Sequence, residues 1–415
     1  MRHLLSRPAM VRASPGRLII PLLLCLTLPS LHAEGPNAPP DLHAQAVALR
    51  MKLSVQEEAA QVLLVGIGGE GSPSESALGL LGGTPLGGVV LFGFNIPDRA
   101  FGLGQFTAAV QEAASHNGSG LPFIVALDEE GGVVFRFHGS DVTRLPPPLE
   151  AARRGPAFVR LLGESAGREL QALGVNLALA PVVELQTEQN LRFLGNRTYG
   201  NDPALVDACA AAFIEGLQSQ GVAATAKHFP GNNASDPHKG LPRLDIDRAS
   251  YERLYLPRFA AATREGVAVV MLSHVVVPAL DPQEPASLSR RMVQGELKQG
   301  LGFPGVALTD DLFMKALTLE RAPERSAVEA LGAGADLLMI TSQEAALRIR
   351  DAIVRAVENG ILQRSRLDDA VERIIELKLR FSMQDALDPA LRSHRLAAFA
   401  RIVAEDQRAV ADFGR

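Results

Sequence analysis

The chain has 415 residues, 47% of them hydrophobic, and a formal net charge of −5. That apolar share at this length is ample for one large barrel or two modest domains. Basic residues form no cluster beyond the first segment, so neither nucleic acid nor anionic lipid is an expected partner.

Residues 1–33 carry Arg2, Arg7, Arg12 and Arg17 without an acid, then an apolar run over 18–28, then Leu31-His32-Ala33. This is the layout of a secretory signal peptide and predicts an exported, periplasmic or secreted protein. Removing it takes the formal charge from −5 to −9, because four arginines leave with it. The run is too short to span a bilayer, and no later stretch reaches the roughly 20 apolar residues of a transmembrane helix. The mature protein is therefore expected to be soluble, with no transmembrane segment. Cys25 raises a lipoprotein anchor as the lesser alternative, since Leu24 stands where such a signal carries a small residue. Cys209 alone remains in the mature chain, which rules out an intrachain disulfide there and reads as a small buried side chain.

Short apolar runs occur at 62–65, 88–92, 123–127, 175–180, 223–226, 267–272, 306–308 and 336–340, separated by helix-like sequence. The runs lack polar alternation, as strands covered on both faces do. Eight such strands with intervening helices predict an α/β fold, a single (β/α)8 TIM barrel over 34–382. Ser54 with Glu57 three residues on predicts a capping box ahead of the first strand. After Phe381 only helix-like sequence remains, so 383–415 is expected to be a helical tail packed on the barrel. The motif Gly66-Ile67-Gly68-Gly69-Glu70-Gly71 matches a dinucleotide fingerprint, but Ser72-Pro73-Ser74 comes next in place of a helix start, and no acid stands about 20 residues on to take a ribose. It is read as a flexible loop.

In a barrel, function sits at the C-terminal ends of the strands. Polar or ionisable residues stand just past five of the runs: Asp128, then Glu184, then Lys227-His228, then Ser273-His274, then Asp310-Asp311. Their recurrence at that end predicts a site. Asp310 would point into the barrel mouth, held as an anion by cations and hydrogen bonds, and act as a nucleophile. Asp311 is better read as the cap of a helix over 312–314.

The loop after Lys227-His228-Phe229-Pro230-Gly231 reaches Asp236 and His238. A carboxylate two residues from an imidazole can orient the ring and stabilise its charged form, leaving the other nitrogen to give and take a proton near neutral pH. The same pair suits a surface turn or a metal site, although a metal would need further ligands.

These residues resemble glycoside hydrolase family 3, in particular its one-domain β-N-acetylglucosaminidases. The likeness covers nearly all of the mature chain. It is carried by Lys52-Leu53-Ser54 with Gln61, Gly87-Gly88-Val89-Val90-Leu91-Phe92, Asp128-Glu129-Glu130-Gly131-Gly132, Gly195-Asn196-Arg197, Lys227-His228-Phe229-Pro230-Gly231, Pro285-Ala286-Ser287-Leu288-Ser289 and the segment 302–314. The resemblance implies that Asp310 is the nucleophile. It implies that Asp236 and His238 form an acid/base dyad in place of the glutamic acid used by two-domain members. It also implies that Asp128, Arg197, Lys227 and His228 hold the hydroxyls of the sugar in the −1 subsite. Arg197 and Lys227 also suit structural pairing with Glu130 or Glu184.

The chain departs from the family pattern at Asn232-Asn233, at Pro237, at Val133, where an arginine is usual, and at Glu184, where an aspartate is commoner. The loop to the dyad is about two residues shorter. A stiffer loop is expected to move less, which bears on the aglycone and not on the presence of either catalytic group. The expected reaction is removal of a terminal β-linked N-acetylhexosamine from cell-wall or chitin-type oligosaccharides with retention, without metal or organic cofactor, by a monomer. A phosphorylase of the same fold and a non-catalytic sugar-binding protein are the alternatives.

Overall fold

The computed structural model describes residues 41–414 apart from Ala234. The expected leader, with Cys25, lies outside the described residues. Eight parallel strands form the centre: β1 Leu63–Gly66, β2 Gly88–Leu91, β3 Ile124–Leu127, β4 Leu177–Ala178, β5 Ala223–Phe229, β6 Val269–Leu272, β7 Val306–Thr309 and β8 Leu338–Ile340. They pair in the order β8-β1-β2-β3-β4-β5-β6-β7. The ring closes between β7 and β8 through a parallel bridge from Leu308 to Leu337, with Thr309 N donating to Leu337 O at 2.9 Å. The fold is the (β/α)8 barrel that the eight runs predict. Every residue in these strands is buried, which is why no polar alternation marks them.

Two strands differ most from their apolar runs, β4 and β5. β4 keeps only two residues, and the Asn176 side chain just before it adds to the pairing with β3. Its Oδ1 accepts from Val125 N at 2.8 Å and its Nδ2 donates to Phe123 O at 3.1 Å. β5 runs on to Phe229, so Lys227 and His228 sit within the strand and not after it. Charged side chains hid that extension from a reading by hydrophobicity.

Helix α1 covers Leu42–Arg50 and α2 covers Val55–Gln61. The capping box forms: Ser54 N donates to Glu57 Oε2 at 2.7 Å, and Glu57 N donates to Ser54 Oγ at 3.3 Å. The glycine-rich stretch after β1 is a loop, but it is held and not free. Asn95 Nδ2 donates to Ile67 O at 3.0 Å and to Gly69 O at 2.8 Å, while Gly68 N donates to Gln343 Oε1 at 3.0 Å. Gly69 has φ +126°, and a Cβ there would lie 2.1 Å from Ser72 O.

Outside the ring, α3 Pro156–Ala172 and α4 Arg364–Arg380 belong to the helical shell. The last helix, α5 Pro389–Asp412, lies against α3. Phe399 and Val403 are buried there, Arg168 Nε donates to Asp406 Oδ1 at 3.0 Å, and the Phe158 and Phe413 rings meet at 5.0 Å.

Candidate active site

A cavity of about 330 Å³ opens at the C-terminal mouth of the barrel. Asp128, Arg197, Lys227, His228, His238 and Asp310 all line it, so six of the seven residues expected to form the site meet in one place. The seventh, Asp236, stands behind His238. A groove of about 400 Å³ lined by Asn176, Arg380 and Ser382 contains none of these residues.

The wall from β3, β4 and β5 is an ionic clamp. Lys227 Nζ lies 2.9 Å from Asp128 Oδ1 and 2.6 Å from Glu130 Oε1. Arg197 grips Glu130 with two hydrogen bonds of 2.8 Å, the bidentate geometry that a guanidinium favours. Arg136 Nη2 donates to Asp128 Oδ2 at 2.7 Å. Burial pushes both carboxyls toward the neutral form, but the facing cations prevail. Asp128 is held far below its ordinary range, chiefly by Lys227 and Arg136, and Glu130 is held at about 2 by Lys227 and Arg197. Lys227 is fully desolvated, and its two carboxylates still raise its affinity for the proton. The wall therefore stays charged and hydrogen-bonded across the physiological range, which suits recognition of hydroxyl groups.

Arg197 and Lys227 both pair with Glu130, as the structural reading has it, and both also line the cavity. Glu184 does neither job. Its Oε1 accepts from His228 Nδ1 at 2.9 Å and from Asn232 Nδ2 at 2.9 Å, and its Oε2 accepts from Asn232 N at 2.6 Å. Ser273 Oγ then donates to Asn232 Oδ1 at 2.9 Å. Asn232, the departure from the family pattern, fastens the start of the dyad loop to the barrel.

Asp310 comes directly after β7, partly exposed in the cavity, with Oδ1 accepting from Asp311 N at 2.9 Å. The expected cations are not beside it: among the described residues it makes no ion pair, because Lys227 and Arg197 are committed to Asp128 and Glu130. Asp311 corrects a second expectation. Residues 312–314 are not helical, and Asp311 instead closes a turn by accepting from Phe313 N at 3.1 Å. It also reaches β8 through Thr341 N at 3.0 Å and Thr341 Oγ1 at 2.8 Å. Buried His274, its proton affinity lowered by burial, donates from Nε2 to Asp311 O at 2.9 Å and accepts at Nδ1 from Ser287 Oγ at 2.7 Å. Together these groups fix the peptide after Asp310.

His238 Nδ1 donates to Asp236 Oδ1 at 2.8 Å, which leaves Nε2 free for proton transfer. Desolvation pushes Asp236 up, but the His238 hydrogen bonds outweigh it and hold the carboxyl below its ordinary value. The loop is anchored at its middle, where Ala316 N donates to Pro237 O at 3.0 Å. The His238 side chain is 69% exposed.

Sequence reasoning missed Arg136 in the clamp and the apolar half of the cavity, formed by Val90, Phe92, Met271 and Met339. Arg136 directly follows a short hairpin, Glu129–Gly131 with Val134–Phe135. The Gly131-Gly132 pair, a turn former between two short segments, was the available signal.

A closed parallel barrel with carboxylates, cations and a histidine gathered at its C-terminal mouth defines a barrel protein built to hold a polar small molecule. Residues 54–377 match the Glycosyl hydrolase family 3 N terminal domain, and the chain belongs to that family. A beta-hexosaminidase of Bordetella pertussis is 34% identical over 312 residues, covering 72% of this chain and 83% of that one. Beta-hexosaminidase A of Pseudoalteromonas piscicida is 28% identical over 329 residues, covering 72% and 54%. Among solved structures, a glycoside hydrolase family 3 beta-N-acetylglucosaminidase from a Paenibacillus species superposes with a TM-score of 0.76 at 32% identity, covering 80% of this chain and 63% of that one. The chain therefore spans less than two thirds of the length of the last two.

Proposed function

We propose that the protein is a retaining glycoside hydrolase that removes a terminal β-linked N-acetylhexosamine from cell-wall or chitin-type oligosaccharides outside the cytoplasm. The observation that carries this reading is that His238, hydrogen-bonded to Asp236, and Asp310 line the same cavity as the ionic clamp. The names of the relatives support the N-acetylhexosamine, and the arginine-rich leader supports export.

Asp310 attacks the anomeric carbon as the bond to the leaving oxygen breaks, and His238 Nε2 supplies the proton that oxygen needs. Asp236 balances the imidazolium. Water, losing its proton to His238, then displaces Asp310 and releases the sugar with its configuration retained. Such a double displacement calls for nucleophile and acid about 5 Å apart across the bond.

Asp310→Ala should abolish release of the aryl group from aryl-β-GlcNAc. His238→Ala should depress turnover of poor leaving groups far more than of activated ones, because only poor ones need the proton. Equal losses on both would remove His238 from the acid role. An aryl glucoside run alongside tests the preference for the acetamido sugar. Formation of sugar 1-phosphate in phosphate buffer would replace hydrolysis by phosphorolysis.

A further inference from the structure

The cavity is chemically lopsided. The clamp charges come from β3, β4 and β5 and from the hairpin after β3, and Asp310 and Asp311 stand at the end of β7, whereas Val90 and Phe92 of the β2 side and Met339 of β8 form an apolar stretch of the lining. At about 330 Å³ it is at the small end of ligand sites, which run from roughly 300 to 1,000 Å³, and it has room for one sugar ring. If the clamp takes that ring's hydroxyls, the apolar stretch is the part of the lining left for the group beyond the cleaved bond.

Phe94 stands beside that stretch. It is 60% exposed, and its ring stacks on Phe92 with centroids 5.9 Å apart and planes 19° from parallel. The turn that carries it is locked. Asn95, fully buried, accepts from Phe92 N at 2.9 Å and donates to Ile67 O and Gly69 O. An aromatic ring held outward on a rigid turn, continuous with a pocket-lining ring, loses little freedom when a ligand packs on it.

We infer that Phe94 is the platform of an aglycone subsite, packing against the apolar face of a second pyranose ring and thereby selecting oligosaccharides over simple glycosides. The inference rests on the glycosidase reading above.

The test compares N,N′-diacetylchitobiose with β-N-acetylglucosaminyl fluoride, whose leaving group has no ring. Phe94→Ala should lower kcat/KM for the disaccharide about five- to tenfold, mainly through KM, a loss typical of one aromatic contact. The fluoride should change less than about twofold on the same scale. Equal effects on both substrates, or none on either, overturn the assignment.

A second readout does not depend on turnover. The chain has no tryptophan. Phe94→Trp combined with Asp310→Asn therefore gives an inert protein with one indole on the platform. Its emission should shift with diacetylchitobiose and not with N-acetylglucosamine. Identical responses to the two, or silence with both, overturn the platform, whereas failure of the unaltered protein to cleave either substrate overturns the glycosidase reading instead.

Discussion

Lys227 is only 2% exposed, yet its ammonium is stable there because Asp128 and Glu130 lie within 2.9 Å of it. Removing one partner of such a cluster leaves buried charge uncompensated, at a cost of about 3–5 kcal/mol. Lys227→Met, which keeps the volume, should therefore lower the unfolding free energy by that much, read as a lower urea midpoint at an unchanged slope. The pH dependence has a definite sign. Glu130 is depressed to about 2 from its ordinary 4.5, so its contribution is present above 4.5 and lost as pH falls toward 2. The deficit of the variant should be largest at neutral pH and narrow over that interval as the carboxyls take up protons. A deficit that is flat with pH would mean that the clamp is not ionic.

At the scale of elements, the hairpin after β3 serves two faces. Asp128 and Glu130 turn to the cavity, and Glu129 between them turns inward, buried near Glu169 of α3. Burial pushes Glu129 well above its ordinary value, and the negative charges of Glu169 and Asp128 push the same way. Burial likewise raises Glu169 to about 7, even though its oxygens accept from Thr143 N at 2.9 and 3.2 Å. A carboxyl raised from 4.5 to about 7 lends its stability below 4.5 and loses it as pH rises through 7. Glu169→Gln keeps an acceptor for Thr143 and removes that loss, so it should stabilise the fold by about 1–3 kcal/mol at pH 8 relative to its effect at pH 5. Thermal unfolding at the two pH values measures it, and equal shifts at both would show that the carboxyl is not titrating inside the fold.

Over the whole molecule, α5 covers part of the barrel's flank. Phe399 and Val403 are 2% and 6% exposed there. Each apolar side chain so buried is worth about 1.5–3 kcal/mol, so deleting 389–415 should cost roughly 3–6 kcal/mol. The transition should fall by several degrees while the remaining folded fraction keeps its turnover, since none of the cavity residues lies on α5. Loss of turnover in a protein that still unfolds cooperatively would tie the tail to the site.

The sequence alone determined the barrel, because eight buried strands write themselves as apolar runs. It also placed Asp310 at a strand end and Asp236 two residues from His238, since these relations lie within a few residues along the chain. The partners in the clamp were decided only by tertiary structure. Lys227 meets Asp128 across 99 residues of chain, and Arg197 meets Glu130 across 67, because ring order sets β3, β4 and β5 side by side. The same closure drew the cations to Asp128 and Glu130 and left Asp310 with a backbone hydrogen bond. Charge at the barrel mouth is legible in the sequence, but which charges neutralise one another depends on distances that exist only once the ring has closed.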